Sequence, residues 1–245
     1  MNHSGRVASA DNATLCDCNL DWAAFGDALD REGYAVIPGL LPNATCESLA
    51  NRYDDEDSFR SRVVMARHNF GRGEYKYFAY PLPNPVAELR TALYPPLAAI
   101  ANRWNGTMGI ETQFPETLDE FRERCHAAGQ TRPTPLLLKY EVYDYNCLHQ
   151  DLYGELVFPL QAAVLLSRPG EDFTGGEFVL TEQRPRMQSR AIVVPLRQGD
   201  AVIFPVRQRP VQGAKRPYRV TMRHGVSRLR SGRRFTLGII FHDAR

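Results

Sequence analysis

A chain of 245 residues that is 43% hydrophobic and 24% charged can bury one sizeable core, and it holds no apolar run of membrane-spanning length. Five cysteines, an odd number without C-x-x-C spacing, argue against a disulfide framework and a zinc ribbon. Net charge is only +2, yet between Arg184 and Arg234 fourteen Lys or Arg face one acid, Asp200.

Residues 1–19 read as a polar, disordered leader in which Cys16 and Cys18 are incidental reduced thiols. This leader lacks the apolar core of a secretory signal, so the expected compartment is the cytoplasm. "LDWAAFGDALDREG" then places Trp22, Phe25 and Leu29 at helical spacing, with Gly33 able to end the helix. "YAVIPGLL" is strand-like, and "PNATCESLANRYDDED" restarts a helix behind Pro42.

"ARHNFGRGEYKYFAYPLP" (66–83) interleaves Arg67, His68, Arg72 and Lys76 with Phe70, Tyr75, Tyr77, Phe78 and Tyr80. That composition suits stacking on a flat substrate while touching phosphates, with His68, Arg72, Tyr75 and Tyr77 as candidate contacts. It equally describes a loop packed over a barrel mouth. Two helical patterns follow, "VAELRTALYPPLAAIANRW", interrupted by Pro95 and Pro96, and "PETLDEFRERCHAAG".

From Leu136 seven strand-length runs are divided by Gly and Pro turn signals, beginning with "PLLLKYEVYDYNCLHQD" and ending with "RRFTLGIIFHD". The expected fold is an all-β core with flanking helices: a double-stranded β-helix (jelly roll) over 136–245, with helical and mixed N-terminal supports over 20–135. One integrated domain, 20–245, is expected.

Inside the first run, "LHQD" puts His149 and Asp151 two apart, so in a strand they project to the same side. "RHGVSRLRSGRRFTLGIIF" adds His224 and, ten residues later, Arg234. Two histidines and a carboxylate on one face of an iron leave three positions open, enough for a bidentate 2-oxo acid and dioxygen. The far carboxylate of that acid needs a partner, and an arginine fork binds it through two parallel hydrogen bonds. Arg233 should face the other side of its strand, although a slip of one residue would exchange the two. Gly175 and Gly176 read as turn residues, Asp200 as a turn acid, and His3, His126 and His242 as surface or packing histidines.

With "GGEF" (175–178) and "GDAVIF" (199–204) in the same order, the chain from Leu136 to Arg245 resembles the Fe(II)- and 2-oxoglutarate-dependent dioxygenases. The resemblance implies iron held by His149, Asp151 and His224, Arg234 as the 2-oxoglutarate anchor, and dioxygen as the oxidant. Tyr140, nine residues before His149, matches the position where AlkB-type nucleic-acid demethylases place a tyrosine on 2-oxoglutarate. The C-terminal half also resembles a bacterial family described as nucleic-acid oxygenases, relatives of AlkB, which implies oxidative dealkylation of damaged nucleic acid, single-stranded or with a flipped base. The basic stretch 184–234 fits a polyanion footprint, its plainer reading being solvated strand edges. "GGEF" and the His224–Arg234 interval look more like prolyl-hydroxylase-type enzymes, so hydroxylation of a protein residue or a small molecule is the alternative. A non-catalytic metal and carboxylate sensor is a third. No membrane partner is expected, and the sequence leaves the oligomeric state open.

Overall fold

Two antiparallel sheets face each other in the computed structural model, which describes residues 20–245. The leader 1–19, with His3, Cys16 and Cys18, lies outside the described residues. In chain order the helices are α1 (Trp22–Glu32), α2 (Asn43–Asn51), α3 (Asn84–Met108) and α4 (Leu118–Ala127). The strands are β1 (Ala35–Ile37), β2 (Phe59–Val64), β3 (Gly71–Arg72), β4 (Glu74–Phe78), β5 (Leu136–Tyr140), β6 (Tyr145–His149), β7 (Leu160–Leu165) and β8 (Phe173–Gly175). They continue with β9 (Phe178–Gln183), β10 (Arg190–Val194), β11 (Ala201–Pro205), β12 (Gln208–Gln212), β13 (Pro217–Val226), β14 (Leu229–Gly232) and β15 (Arg234–Ile239). No helix among the described residues is long and apolar enough to cross a membrane.

The larger sheet runs β1-β11-β7-β15-β5-β4-β2 and the smaller β10-β9-β13-β6-β3, with β12 beside the first half of β13 and β14 paired to β8. Alternation along the larger sheet sends Leu137, Val164, Leu237 and Ile239 to one face, where they share a buried cluster with Leu93, Tyr94, Leu97 and Trp104 of α3. Each such side chain contributes about 1.5–3 kcal/mol of burial. This packing explains why α3 is one helix of 25 residues although Pro95 and Pro96 lie inside it: tertiary burial outweighs the lost donors. The opposite face, carrying Arg234, Thr236 and Gly238, looks into the space between the sheets.

Two departures from the sequence expectation set up that space. The run from Leu136 to Asp151 is two strands, because Asp144 accepts from the Glu141 amide (2.8 Å) and Tyr143 turns the chain at φ 72°. β5 therefore joins the larger sheet and β6 the smaller, so Tyr140 and His149 come from facing layers. The segment before Leu136 also supplies β1, β2 and β4 to the larger sheet, so 20–135 builds the sheet as well as supporting it.

Among the described residues three arginines are buried to 1% exposure: Arg90, Arg209 and Arg234. Arg90 is paired with Asp243, and Arg209 with Glu182. Gly33, at φ 81°, closes α1 and leaves room for Arg209, whose Nε would lie 2.6 Å from any Cβ there.

Candidate active site

β13 and β6 are neighbours with His224 directly opposite His149, and the ring centroids are 4.1 Å apart. A register shift follows between His224 and Val226, where Gly225 passes so close to β6 that a Cβ would meet the Asn146 carbonyl at 2.7 Å. That bulge re-aims β6, and Asn146 and His149 both line the cavity between the sheets. Asp151, just past β6, completes the group: His149 Nε2 is 3.5 Å and His224 Nε2 3.2 Å from its two carboxylate oxygens. One ligand atom from each of the three residues lies within 4.8 Å of the others, which suits a divalent ion.

The surroundings orient these groups. The His149 Nδ1 donates to the Cys147 carbonyl at 2.7 Å, which leaves Nε2 as the ring nitrogen free to meet Asp151 or a metal ion. Tyr153 donates its hydroxyl to Asp151 Oδ1 at 2.8 Å. Burial would raise the Asp151 carboxyl, but the two imidazoles outweigh it and hold its pKa well below the usual range. Burial, reinforced by nearby His149, pushes His224 below its ordinary value. Burial also opposes the charged form of His149, yet the bond to Asp151 carries its pKa upward.

Across the cavity, β15 sits between β5 and β7 with Arg234 opposite Tyr140. Its guanidinium lies between the rings of Tyr140 (5.7 Å) and Phe173 (5.8 Å), and one Nη donates to Thr236 Oγ1. Burial lowers the Arg234 pKa to about 10, still charged at neutral pH. Among the described residues no carboxylate meets Arg234, and its Nε and the Tyr140 hydroxyl are buried without a hydrogen-bond partner. An uncompensated guanidinium beside an idle phenol is a receptor for a carboxylate. The donor sets therefore fit both groups: two imidazoles and a carboxylate for Fe(II), and a fork plus a hydroxyl for the distal carboxylate of 2-oxoglutarate.

The cavity joining the two halves measures about 200 Å³ and is lined by His149, Asp151, His224, Arg234 and Tyr140, the five residues expected from the sequence. Arg233 points away, its side chain 61% exposed beside Glu141. Of the four candidate substrate contacts, Tyr75 lines the cavity. Tyr77 stands behind it at 5.4 Å between ring centroids, His68 is exposed and stacked on Phe70 (5.3 Å), and Arg72 is exposed and paired with Asp144. The segment 71–78 is strand, not loop, and it is Phe70 that reaches the cavity rim.

Sequence reasoning missed Tyr153, Thr236 and Gln161. Thr236 was accessible by alternation from Arg234, and Gln161 is the one polar residue in "VFPLQAAVLL". His126 and His242 do pack elsewhere, His126 on Asp243 and His242 fully buried. Asp200 is a turn acid that accepts from the Gly39 and Arg197 amides.

A family profile described as oxygenases catalysing oxidative methylation of damaged DNA matches residues 73–244. Two Mycobacterium tuberculosis sequences, the uncharacterized proteins MT2286 (strain CDC 1551 / Oshkosh) and Rv2227 (strain ATCC 25618 / H37Rv), are each 52% identical over 190 residues, covering 76% of this chain and 82% of theirs. Among solved structures, a Trichoplax adhaerens prolyl hydroxylase in complex with a hypoxia inducible factor oxygen degradation domain peptide fragment is similar. Its TM-score is 0.54 at 15% identity, over 91% of this chain and 89% of that one. A 2OG-Fe(II) oxygenase family oxidoreductase from Burkholderia pseudomallei has a TM-score of 0.53 at 14% identity, over 93% and 94% of the two chains. These two structures share the jelly-roll fold with this chain.

Proposed function

Because the chain belongs to the nucleic-acid oxygenase family of 2-oxoglutarate- and Fe(II)-dependent oxygenases, we propose that it removes an alkyl group from a damaged base in nucleic acid. When bound, Fe(II) and 2-oxoglutarate supply the oxidation: dioxygen is consumed, 2-oxoglutarate leaves as succinate and carbon dioxide, and a substrate C–H becomes C–OH. On an N-methyl group that product loses formaldehyde. In this reading His149, Asp151 and His224 hold the metal, Arg234 and Tyr140 hold the distal carboxylate, and the apolar walls around Phe178 and Phe204 exclude water.

The observation that carries the choice of substrate is exposed, unpaired charge together with an aromatic strip that starts at the cavity rim. Nine of the fourteen cations between Arg184 and Arg234 are exposed and, among the described residues, meet no carboxylate. The rim residue Phe70 leads to Arg72, which pairs in register with Tyr145. Tyr143, whose ring lies 5.0 Å below Arg228, continues that exposed strip. Alternating rings and guanidinium groups suit a single strand, with bases stacked and phosphates neutralised.

The test offers N-methylated single-stranded oligonucleotides, the same sequences as duplexes, and a proline-containing peptide, following succinate and formaldehyde together. Formaldehyde from methylated single strands, with Arg228→Glu weakening binding and flattening its salt dependence, is the expected result. Succinate coupled to the peptide, with no formaldehyde from any oligonucleotide, would replace this reading with protein hydroxylation.

A further inference from the structure

Along the floor of the cavity the side chains follow a definite order. Arg234 stands at one end. In the middle β15 and β7 place Gly238 opposite Ala163, with the Leu136 side chain of β5 filling the space beside Gly238, so this stretch of the floor is apolar. At the other end β7 carries Gln161, the register partner of Phe204, whose ring lies 4.7 Å from that of His224. The floor thus runs from a guanidinium, across apolar side chains, to a primary amide in the same cavity as His149, Asp151 and His224.

Gln161 is 3% exposed, lines the cavity, and its Nε2 is buried with no hydrogen-bond partner among the described residues. Its neighbours in β7 are all apolar. An apolar residue of the same length would fill the place without breaking any Nε2 hydrogen bond, and folding alone therefore disfavours the amide. A donor kept in such a position serves an acceptor that arrives with a ligand.

We propose that Gln161 donates its side-chain N–H to the metal-chelating end of the bound 2-oxo acid, at the 1-carboxylate, while Arg234 holds the distal carboxylate. The inference rests on the reading of Arg234 as the anchor. Gln161 is then a co-substrate-binding residue, and the span between it and Arg234 selects the length of the 2-oxo acid.

The experiment uses the full chain loaded with Mn(II), in wild type, Gln161→Met, Gln161→Glu and Arg234→Met, and measures binding of 2-oxoglutarate and of oxalate by calorimetry. Oxalate reproduces the chelating end and has no distal carboxylate. Gln161→Met should weaken both ligands about tenfold or more, the worth of a hydrogen bond to a charged group, and Gln161→Glu should weaken both further through like-charge repulsion. Mn(II) affinity without co-substrate should be unchanged, and the metal-free Gln161→Met protein should melt at or above the wild-type temperature. Arg234→Met should weaken 2-oxoglutarate alone.

Wild-type affinity for both ligands in Gln161→Met and Gln161→Glu would overturn the proposal. Loss of 2-oxoglutarate with oxalate binding intact in Gln161→Met would overturn it too, by placing the amide away from the chelating end. Failure of the anchor is separate: there Arg234→Met would bind 2-oxoglutarate as wild type does.

Discussion

Arg90 and Arg234 are buried to the same degree, 1% exposed, and their surroundings are opposite. Arg90 donates from Nε to the Ile240 carbonyl (3.0 Å), from Nη1 to the Tyr80 hydroxyl (2.9 Å), and from Nη2 to the Phe241 carbonyl (2.8 Å) and Asp243 Oδ1 (2.7 Å). The other Asp243 oxygen takes Tyr80 and His126. Arg234 meets one threonine hydroxyl and two aromatic rings. A completed network closes a structure, whereas an incomplete one in the same dry setting defines the ligand that would finish it.

Breaking the complete network should give the largest effect. Arg90→Met leaves the Asp243 carboxylate buried without its cation, so unfolding free energy should fall by about 3–5 kcal/mol, measured by denaturant titration. The folded fraction should bind 2-oxoglutarate normally.

His242, beside that network, sharpens it through pH. Its Nδ1 accepts from the Phe158 amide at 3.2 Å, and burial, with Arg90 adding to it, lowers its pKa from 6.5 to about 4. Between those values the unfolded chain binds a proton that the folded chain refuses, so stability is full above pH 6.5 and falls as pH drops toward 4. The loss should reach roughly 3 kcal/mol in metal-free protein, and the stability curve of His242→Asn should lack it.

Completing the comparison from the other side, Arg234→Met should cost roughly 100-fold in 2-oxoglutarate affinity while leaving the metal-free protein as stable as wild type or more so. The smallest effect belongs to Tyr153→Phe, which removes the hydroxyl that fixes Asp151. Mn(II) affinity should drop about tenfold, and a titration equal to wild type would exclude that orienting role.

That five candidate residues would share one cavity was legible because a period of two is preserved through short strands: His149 and Asp151 share a side, and Arg234, not Arg233, faces Tyr140. What alternation could not reveal is where one strand leaves its sheet for the other. The Glu141–Asp144 turn carries no Gly or Pro, and its one trace in the sequence is the adjacent pair Val142 and Tyr143, which breaks the alternation between β5 and β6. β4 was obscured for a different reason. Its buried Lys76 (3% exposed), which donates to the Tyr53 carbonyl and pairs with Glu56, reads in sequence as a solvated position. The single polar letter of β7 was visible, and its meaning required knowing that β7 lines the same cavity as His149, Asp151 and His224.

The place of β15 between β5 and β7 also has a consequence in time. During synthesis β5 and β7 leave the ribosome well before β15, and until then each presents a long apolar edge with nothing to pair. The final strand must insert between partners made about 70–95 residues earlier, a non-local step of the kind that slows folding and exposes intermediates to aggregation. Arg234 travels on that strand, so the centre of the larger sheet and the pairing of Arg234 with Tyr140 come into being in the same late event.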